Sequence, residues 1–348
     1  MQLGSFTNDT SFTGSNETLA ADEGISTSVW TNSFGWISVT WILVSNILII
    51  STFVINAGTT WPVFSRFVLS LSMCDLIVGI LYVPMLVNYS VYSVTNFYGC
   101  VILFYLLFIG QIASLYHIFG ICVHRTVKFI FHPNNRTVPE RRAVIIISCC
   151  SWIIAAVVAL VPNIILTKSY TVLNSCSQED IYTRDFRFTG ILATFYVIPY
   201  VLTNVFYLFA CVRLKRAIKR VVVPNERTTN TGDHAQENDA SNDRRNNATH
   251  VGVERKVMGT VGVLLVIFNI LTLPTIITVV YETRVGSLPY NVRKIAATLL
   301  TLNSGFNPLV YALRSTWIRG SIKSILKDMG NELRRLCCRC FSTSNEHT

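Results

Sequence analysis

Long runs without any Asp, Glu, Lys or Arg dominate the pattern of this 348-residue chain, and its charges gather in short clusters between the runs. A helix needs about 20 apolar residues to cross the hydrocarbon core of a bilayer. The runs are continuously apolar rather than alternating, which indicates membrane helices. The run between Arg66 and Arg125 is broken only by Asp75 and is long enough for two spans, so the pattern predicts seven membrane helices. The runs are 24–65, 67–124, 143–167, 188–212, 257–281 and 295–313.

Composition and the placement of basic residues agree with this interpretation. Hydrophobic residues make up 51% of the chain and charged residues only 14%, whereas soluble domains carry about 25% charged residues. Placing the N-terminus outside puts 23 of the 29 Lys and Arg residues on the inner side and leaves 6 outside, as the positive-inside rule requires. We therefore expect an all-α integral protein of the plasma membrane, a seven-transmembrane helix bundle with its N-terminus outside.

The polar segments outside the spans predict how the rest of the chain is organised. Residues 1–33 are rich in Ser, Thr, Asn and Gly and are predicted to be a disordered extracellular tail. Its Asn-x-Thr triplets at Asn8 and Asn16 are candidate glycosylation sites. The seven-helix domain is expected at 34–313, with a long disordered inner loop at about 221–253 that is polar and low in complexity.

Residues 314–348 are expected to form a short amphipathic eighth helix on the inner membrane surface, followed by a cytoplasmic tail. Apolar residues recur there at helical spacing beside a basic stripe, which favours contact of one face with membrane lipid. Three cysteines follow, and palmitoylation is a better interpretation of them than zinc binding, because they come directly after a helix that is expected to lie on the membrane surface. These cysteines are Cys337, Cys338 and Cys340.

The placement of the cysteines predicts one disulfide bond. Under the seven-helix topology only Cys100 and Cys176 face the oxidising outer side, and the other cysteines lie in spans, at their ends or in the cytoplasmic tail. The bond would tie the outer end of the third helix to the loop after the fourth.

Asp75 is the one acidic residue in the middle of a predicted span. A carboxylate at that depth is costly unless it faces the interior of the bundle and has partners. Polar residues of other spans would surround it and hold either a sodium ion with its water or a water network. The alternative is a satisfied hydrogen-bond cluster without a regulatory role, and no other cofactor is expected. The candidate partners are Asn46, Ser114, Asn303, Ser304 and Asn307.

Residues in every predicted span make the chain resemble the rhodopsin-like (class A) family of G protein-coupled receptors. The most specific match is Asn307-Pro308-Leu309-Val310-Tyr311, which fits the Asn-Pro-x-x-Tyr motif of that family. Each other match is weak alone, but all of them occur in order and at suitable spacing. They are Asn46, Leu71, Asp75, Cys100, Arg125, Trp152, Pro199, Tyr207, Phe268 and Pro274.

The resemblance implies a switch on the inner side of the bundle. In the family, the arginine at the position of Arg125 is held near the sixth helix at rest, and Glu254 stands where its partner often lies. Outward movement of that helix would free Arg125, and Tyr207 and Tyr311 would turn inward to support the open state. Prolines within the helices would let them bend during this movement. The opened cavity would admit a heterotrimeric G protein, and arrestin and receptor kinases are further expected partners.

Two departures from the family pattern qualify this expectation. The chain reads His124-Arg125-Thr126, whereas the family usually has an acid before the arginine and a Tyr after it. Glu254 would then restrain Arg125 alone, so we hypothesise raised basal activity, and we expect the imidazole of His124 to be exposed. Thr272 stands where the family usually carries a Trp at the floor of the ligand pocket.

The class of extracellular ligand is only narrowed by the sequence. Leu107 occupies the position where amine receptors place an Asp, which disfavours a typical monoamine, and the absence of Lys from the seventh span excludes a retinal Schiff base. A peptide and a small organic molecule both stay open. The candidate pocket residues are Leu107, Gln111, Thr272, Glu282, Lys294 and Thr301.

The favoured function is therefore a receptor that binds an extracellular ligand and promotes nucleotide exchange on a heterotrimeric G protein. A decoy receptor that binds ligand without coupling is the alternative that the altered residues beside Arg125 motivate. A transporter or channel is less favoured, because Asp75 is the single acid within a span. An enzyme is least favoured, since the sequence shows no catalytic dyad or metal-ligand cluster, and no nucleic-acid partner is expected.

Overall fold

The computed structural model describes residues 14–58, 61–91, 96–131, 140–165, 186–222, 234–286 and 288–344, together with residues 167, 176 and 181. These residues form eight helices. In chain order they are α1 (Gly14–Ile55), α2 (Val63–Val91), α3 (Phe97–Phe131), α4 (Glu140–Ile165), α5 (Phe186–Val222), α6 (His234–Arg284), α7 (Tyr290–Arg314) and α8 (Thr316–Ser344).

Seven of these helices form the membrane bundle, which confirms the predicted fold class. Helices α1 to α6 each contain a segment long and apolar enough to cross a bilayer. Helix α7 is less apolar, because Arg293 and Lys294 lie near its outer end and several of its polar side chains point into the bundle. Its packing against α1, α2 and α6 makes it the seventh member of the bundle.

Helix α4 shows how the sequence sorts residues between lipid and protein. Its small residues Ala155 and Ala159 are buried where the helix packs against α3. Small residues let membrane helices approach closely, and large apolar residues can face lipid at no cost. The large apolar residues that α4 exposes are Ile145, Ile146, Ile153, Ile154, Val157, Leu160 and Ile164.

Three helix bounds differ from those predicted. Helix α1 begins at Gly14, inside the segment expected to be a disordered tail, and α6 begins at His234, inside the expected disordered loop. Helix α8 has 29 residues and is not short. Residues 14–33, 234–253 and 316–344 contain no proline, so a helix that starts in an apolar or amphipathic segment can continue through them.

The prolines of α5 and α7 each leave one carbonyl without its usual donor, and in both places a neighbouring helix supplies a replacement. Pro308 cannot donate to Ser304, and the Asn46 side chain of α1 donates to that carbonyl at 3.0 Å. Pro199 likewise cannot donate to the carbonyl of Phe195, which accepts a hydrogen bond from the Tyr116 hydroxyl of α3 at 3.4 Å. The packing of the bundle therefore satisfies both carbonyls that the prolines leave without a backbone donor.

Candidate functional site

The outer end of the bundle is fixed by the disulfide bond between Cys100 and Cys176, whose Cα atoms lie 5.7 Å apart. This confirms the predicted pairing. Both cysteines are buried in an apolar cluster that includes Phe97, Phe104 and Leu107. Cys176, which follows α4 in the chain, is thereby held against the outer end of α3.

At the inner end of α3, Arg125 forms a buried ion pair with Glu254 of α6. Its Nη1 lies 3.1 Å from Oε2 of Glu254, and the two side chains are 4% and 5% exposed. The guanidinium also lies over the Phe64 ring of α2, 5.8 Å from the ring centre. Separating a buried ion pair leaves uncompensated charges, so this contact resists movement of α6 away from α3.

The Glu254 carboxylate has a second cationic partner, Lys128, which the sequence analysis missed. Lys128 Nζ donates to Oε1 of Glu254 at 2.6 Å, while Arg125 occupies Oε2. The signal that would have found it is spacing, because residues three apart on a helix lie on the same face. Two basic residues of α3 therefore share one acidic residue of α6.

The residues on either side of Arg125 pack differently from the expectation. His124 is buried, and its ring meets the Phe67 ring of α2 edge to face with centroids 5.6 Å apart. The expectation of an exposed imidazole is therefore wrong, because α3 turns this side chain towards α2 and not towards solvent. The Thr126 hydroxyl donates to the carbonyl of Phe206 in α5 at 2.9 Å, which joins α3 to α5.

Tyr207 and Tyr311 both lie near the inner ionic contact. The Tyr207 hydroxyl donates to the carbonyl of Met258 in α6 at 3.5 Å. A Cβ atom on Gly262 would overlap that hydroxyl, so a larger residue there would require the Tyr207 side chain to shift. Tyr311 is fully buried, and its ring packs edge-on against Phe64, which also lies beneath Arg125.

The predicted polar cluster surrounds Asp75 in the middle of the bundle. Asn307 of α7 donates to Oδ2 of Asp75 at 2.9 Å. Other buried polar atoms near the bundle centre have no hydrogen-bond partner among the described residues. These atoms are Oδ1 of Asp75, Oγ of Ser72, Oγ of Ser114 and Oδ1 of Asn303.

The polar residues at the Asp75 carboxyl group come from α3 and α7. Ser304 and Ser114 lie beside the Asp75 carboxyl group. Asn46 instead uses its amide nitrogen for the carbonyls of Ile42 and Ser304. A carboxylate with oxygen atoms of amides and hydroxyls is the donor set that hard cations prefer.

The six candidate pocket residues do not form one connected polar group. Gln111 of α3 donates to the Thr301 hydroxyl of α7 at 3.3 Å; Thr301 is buried and Gln111 is partly buried. Thr272 is fully buried in α6, and Leu107 packs in the outer apolar cluster. The remaining two, Glu282 and Lys294, lie near the outer ends of α6 and α7.

At that outer end, Glu282 pairs with Arg293 across the α6–α7 connection, with 3.5 Å between Oε1 and Nε. The same carboxylate accepts a hydrogen bond from the backbone of Leu288 at 3.4 Å. Glu282 therefore organises the turn between α6 and α7. Lys294 is half-buried one residue after Arg293.

A pair of asparagines between α5 and α6 was not anticipated by the sequence analysis. The Asn269 side chain donates to Oδ1 of Asn204 at 2.8 Å, and Asn204 donates back to Oδ1 of Asn269 at 3.2 Å. Both lie within the membrane-spanning parts of their helices. Isolated asparagines in apolar spans are the sequence signal that would have suggested such a pair.

The predicted modification sites are not tested by the structure. Asn8 lies outside the described residues. Asn16 falls within the helical part of the tail in α1, and Cys337, Cys338 and Cys340 fall within α8. Glycosylation and palmitoylation of these residues stay predictions.

Comparison with known proteins agrees with this geometry. Residues 45–311 match the family described as 7 transmembrane receptor (rhodopsin family). Among curated proteins, the chain is 26% identical to adenosine receptor A3 of Bos taurus, over 82% of this chain and 86% of the relative. It is 24% identical to adenosine receptor A3 of Canis lupus familiaris, over 78% of this chain and 82% of the relative. Because the family match covers most of the bundle, this multi-pass protein of the plasma membrane belongs to the rhodopsin family of seven-transmembrane receptors.

Proposed function

We propose that this chain is a receptor, not an enzyme, that binds an extracellular ligand and promotes nucleotide exchange on a heterotrimeric G protein. The observation that carries the proposal is the buried ion pair between Arg125 and Glu254 at the inner end of the bundle. It joins α3 to α6 beside Tyr207, at the place where a cytoplasmic partner would enter. A contact that only stabilised the fold would not need two buried charges, since apolar residues of similar size serve that purpose as well.

Ligand binding and G protein binding are coupled in this proposal through two states of the bundle. In the resting state α6 is held to α3 by Glu254. In the open state α6 has moved, Arg125 is free, and Tyr207 and Tyr311 support the cavity together with the bend at Asn307 and Pro308. A ligand shifts the balance only as far as it binds the open state better.

We propose a small organic molecule as the ligand. The curated relatives are named as adenosine receptors, and nucleosides are therefore the first compounds to test. The bonded pair of Gln111 and Thr301 offers hydrogen-bonding groups to such a ligand between α3 and α7. Thr272 and Leu107 would line the same space, while Glu282 and Lys294 lie near its mouth.

We also propose that Asp75 takes up a sodium ion with its water. Oδ1 of Asp75 and the side-chain oxygens of Ser114 and Asn303 are buried without a partner among the described residues, and Asn307 holds the other carboxylate oxygen. An ion there would tie α2 and α3 to α7 and favour the resting state. Arrestin and receptor kinases, two glycans at Asn8 and Asn16, and palmitoylation of the cysteines in α8 complete the proposal.

The proposal is tested by ligand-free nucleotide exchange on a panel of G protein α subunits, with matched surface expression of each receptor variant. Glu254→Ala removes the restraint on α6, and we expect it to raise basal exchange several-fold over wild type on at least one α subunit. Arg125→Ala in the same background should abolish that gain, because the arginine is needed by the open state.

Coupling would be contradicted if neither wild type nor Glu254→Ala promoted nucleotide exchange on any α subunit, with surface expression confirmed. That result would favour the decoy receptor, which binds ligand without activating a G protein. The residues His124 and Thr126, which replace the acid and the tyrosine usual in the family, are the observation behind this second function.

A further inference from the structure

We propose that Lys128 is a second anchor for α6, and that it supplies the restraint which an acid at position 124 would otherwise provide. This proposal rests on the proposed function, because it concerns the resting state of the same switch. The observation behind it is that Lys128 Nζ lies 2.6 Å from Oε1 of Glu254, a shorter contact than the 3.1 Å of the Arg125 pair.

The geometry of the three side chains makes both anchors effective. Arg125 and Lys128 stand one turn apart on α3, and each takes a different oxygen of the same carboxylate. The carboxylate is thus held at two points, so the loss of one of the two hydrogen bonds leaves α6 still joined to α3. The Lys128 side chain is 16% exposed, so its attraction to the carboxylate is only partly screened by water.

Charge adds a further restraint on opening. Arg125 and Lys128 are like charges on one helix face, and Glu254 between them offsets their repulsion. Departure of α6 removes that offset and leaves two neighbouring cations. The restraint on α6 is therefore larger than a single ion pair would give. We expect the wild-type receptor to have low basal activity. This replaces the sequence-based hypothesis of raised basal activity, which counted Glu254 and Arg125 alone.

The direct test is hydrogen exchange followed by mass spectrometry on the full chain in lipid nanodiscs, without ligand or G protein. In Lys128→Met, peptides from the inner part of α6, around 252–262, should exchange about three- to tenfold faster than in wild type. Lys128→Arg keeps the charge and should restore most of the protection. Lys256→Met is the matched control, because Lys256 is an exposed lysine of α6 outside this ion pair.

A double-variant cycle decides whether Lys128 acts through Glu254. In the Glu254→Gln background, Lys128→Met should have little further effect on the exchange of α6, because its partner is already neutral. An equal effect in both backgrounds would overturn the proposal. So would no effect of Lys128→Met on α6, or equal acceleration in α1 and α4, which would indicate a general loss of stability.

Nucleotide exchange on a G protein is measured on the same variants and separates this inference from the proposed function. Faster hydrogen exchange in α6 without any nucleotide exchange would support the anchor and contradict coupling. Basal nucleotide exchange that rises in Glu254→Ala but not in Lys128→Met, with hydrogen exchange unchanged in Lys128→Met, would support coupling and overturn the anchor.

Discussion

At the scale of single residues, this receptor relies on buried polar atoms whose partners come from neighbouring helices. The contact of Arg125 with Glu254 and that of Asp75 with Asn307 follow from motif positions that are visible in the sequence. The burial of His124 was not predictable in the same way. Which way a side chain faces depends on the rotation of its helix about its own axis, and a continuous apolar run carries little information about that rotation.

The contribution of the Asn46 side chain to the stability of the bundle can be measured. Its amide donates to the Ser304 carbonyl, which Pro308 leaves without a backbone donor. Asn46→Ala should destabilise the bundle by about 1–3 kcal/mol, because a buried carbonyl loses its partner. Thermal unfolding of the purified chain in nanodiscs would show this as a lower midpoint temperature.

The matched background for Asn46→Ala is Pro308→Ala, which restores a backbone N–H to Ser304. The cost of Asn46→Ala should shrink markedly there, because the carbonyl regains a donor. An undiminished cost would mean that Asn46 stabilises the bundle through other contacts, such as its bond to Ile42.

At the scale of helices, the sequence predicts the elements well and their ends poorly. An apolar run with enough residues to cross the bilayer as a helix is compatible with few other structures. All seven spans could therefore be predicted. The start of α6 at His234 could not, because a polar stretch without proline is compatible with both helix and loop. The sequence of a helix also does not show which other helix packs against it. For this reason the pair of Asn204 and Asn269 was missed.

That asparagine pair links α5 to the helix that the proposed switch must move. Asn269→Leu should lower the thermal midpoint of the chain in nanodiscs, since a polar pair between membrane helices contributes about 0.6 kcal/mol and at most roughly 1.7 kcal/mol. Asn204 would keep only its bond to the Tyr200 carbonyl.

The double variant Asn204→Leu/Asn269→Leu supplies the control for the asparagine pair. Replacing both partners by apolar residues removes the unpaired amide, so it should cost less than the sum of the single changes. Strictly additive costs would show that the two side chains do not act as a pair.

At the scale of the whole molecule, the disulfide at the outer end and the ionic contact at the inner end hold the two ends of the bundle differently. Cys100 and Cys176 fix the outer end covalently. Glu254 fixes the inner end through ion pairs that can separate and form again. The two prolines whose freed carbonyls are held by neighbouring helices lie between these ends. The ionic contact between α3 and α6 is therefore the place where the proposed opening of the bundle would occur.

The most direct test of this account is the distance between the inner ends of α4 and α6, measured by pulsed electron paramagnetic resonance. Nitroxide amino acids at the exposed positions Arg141 and Arg255 would report it without altering the native cysteines. We predict one short distance in the ligand-free wild type and a distance longer by several ångströms when Glu254→Ala binds a nucleotide-free G protein. A distance that stays unchanged in that complex would contradict the account, because coupling would then not involve release of α6.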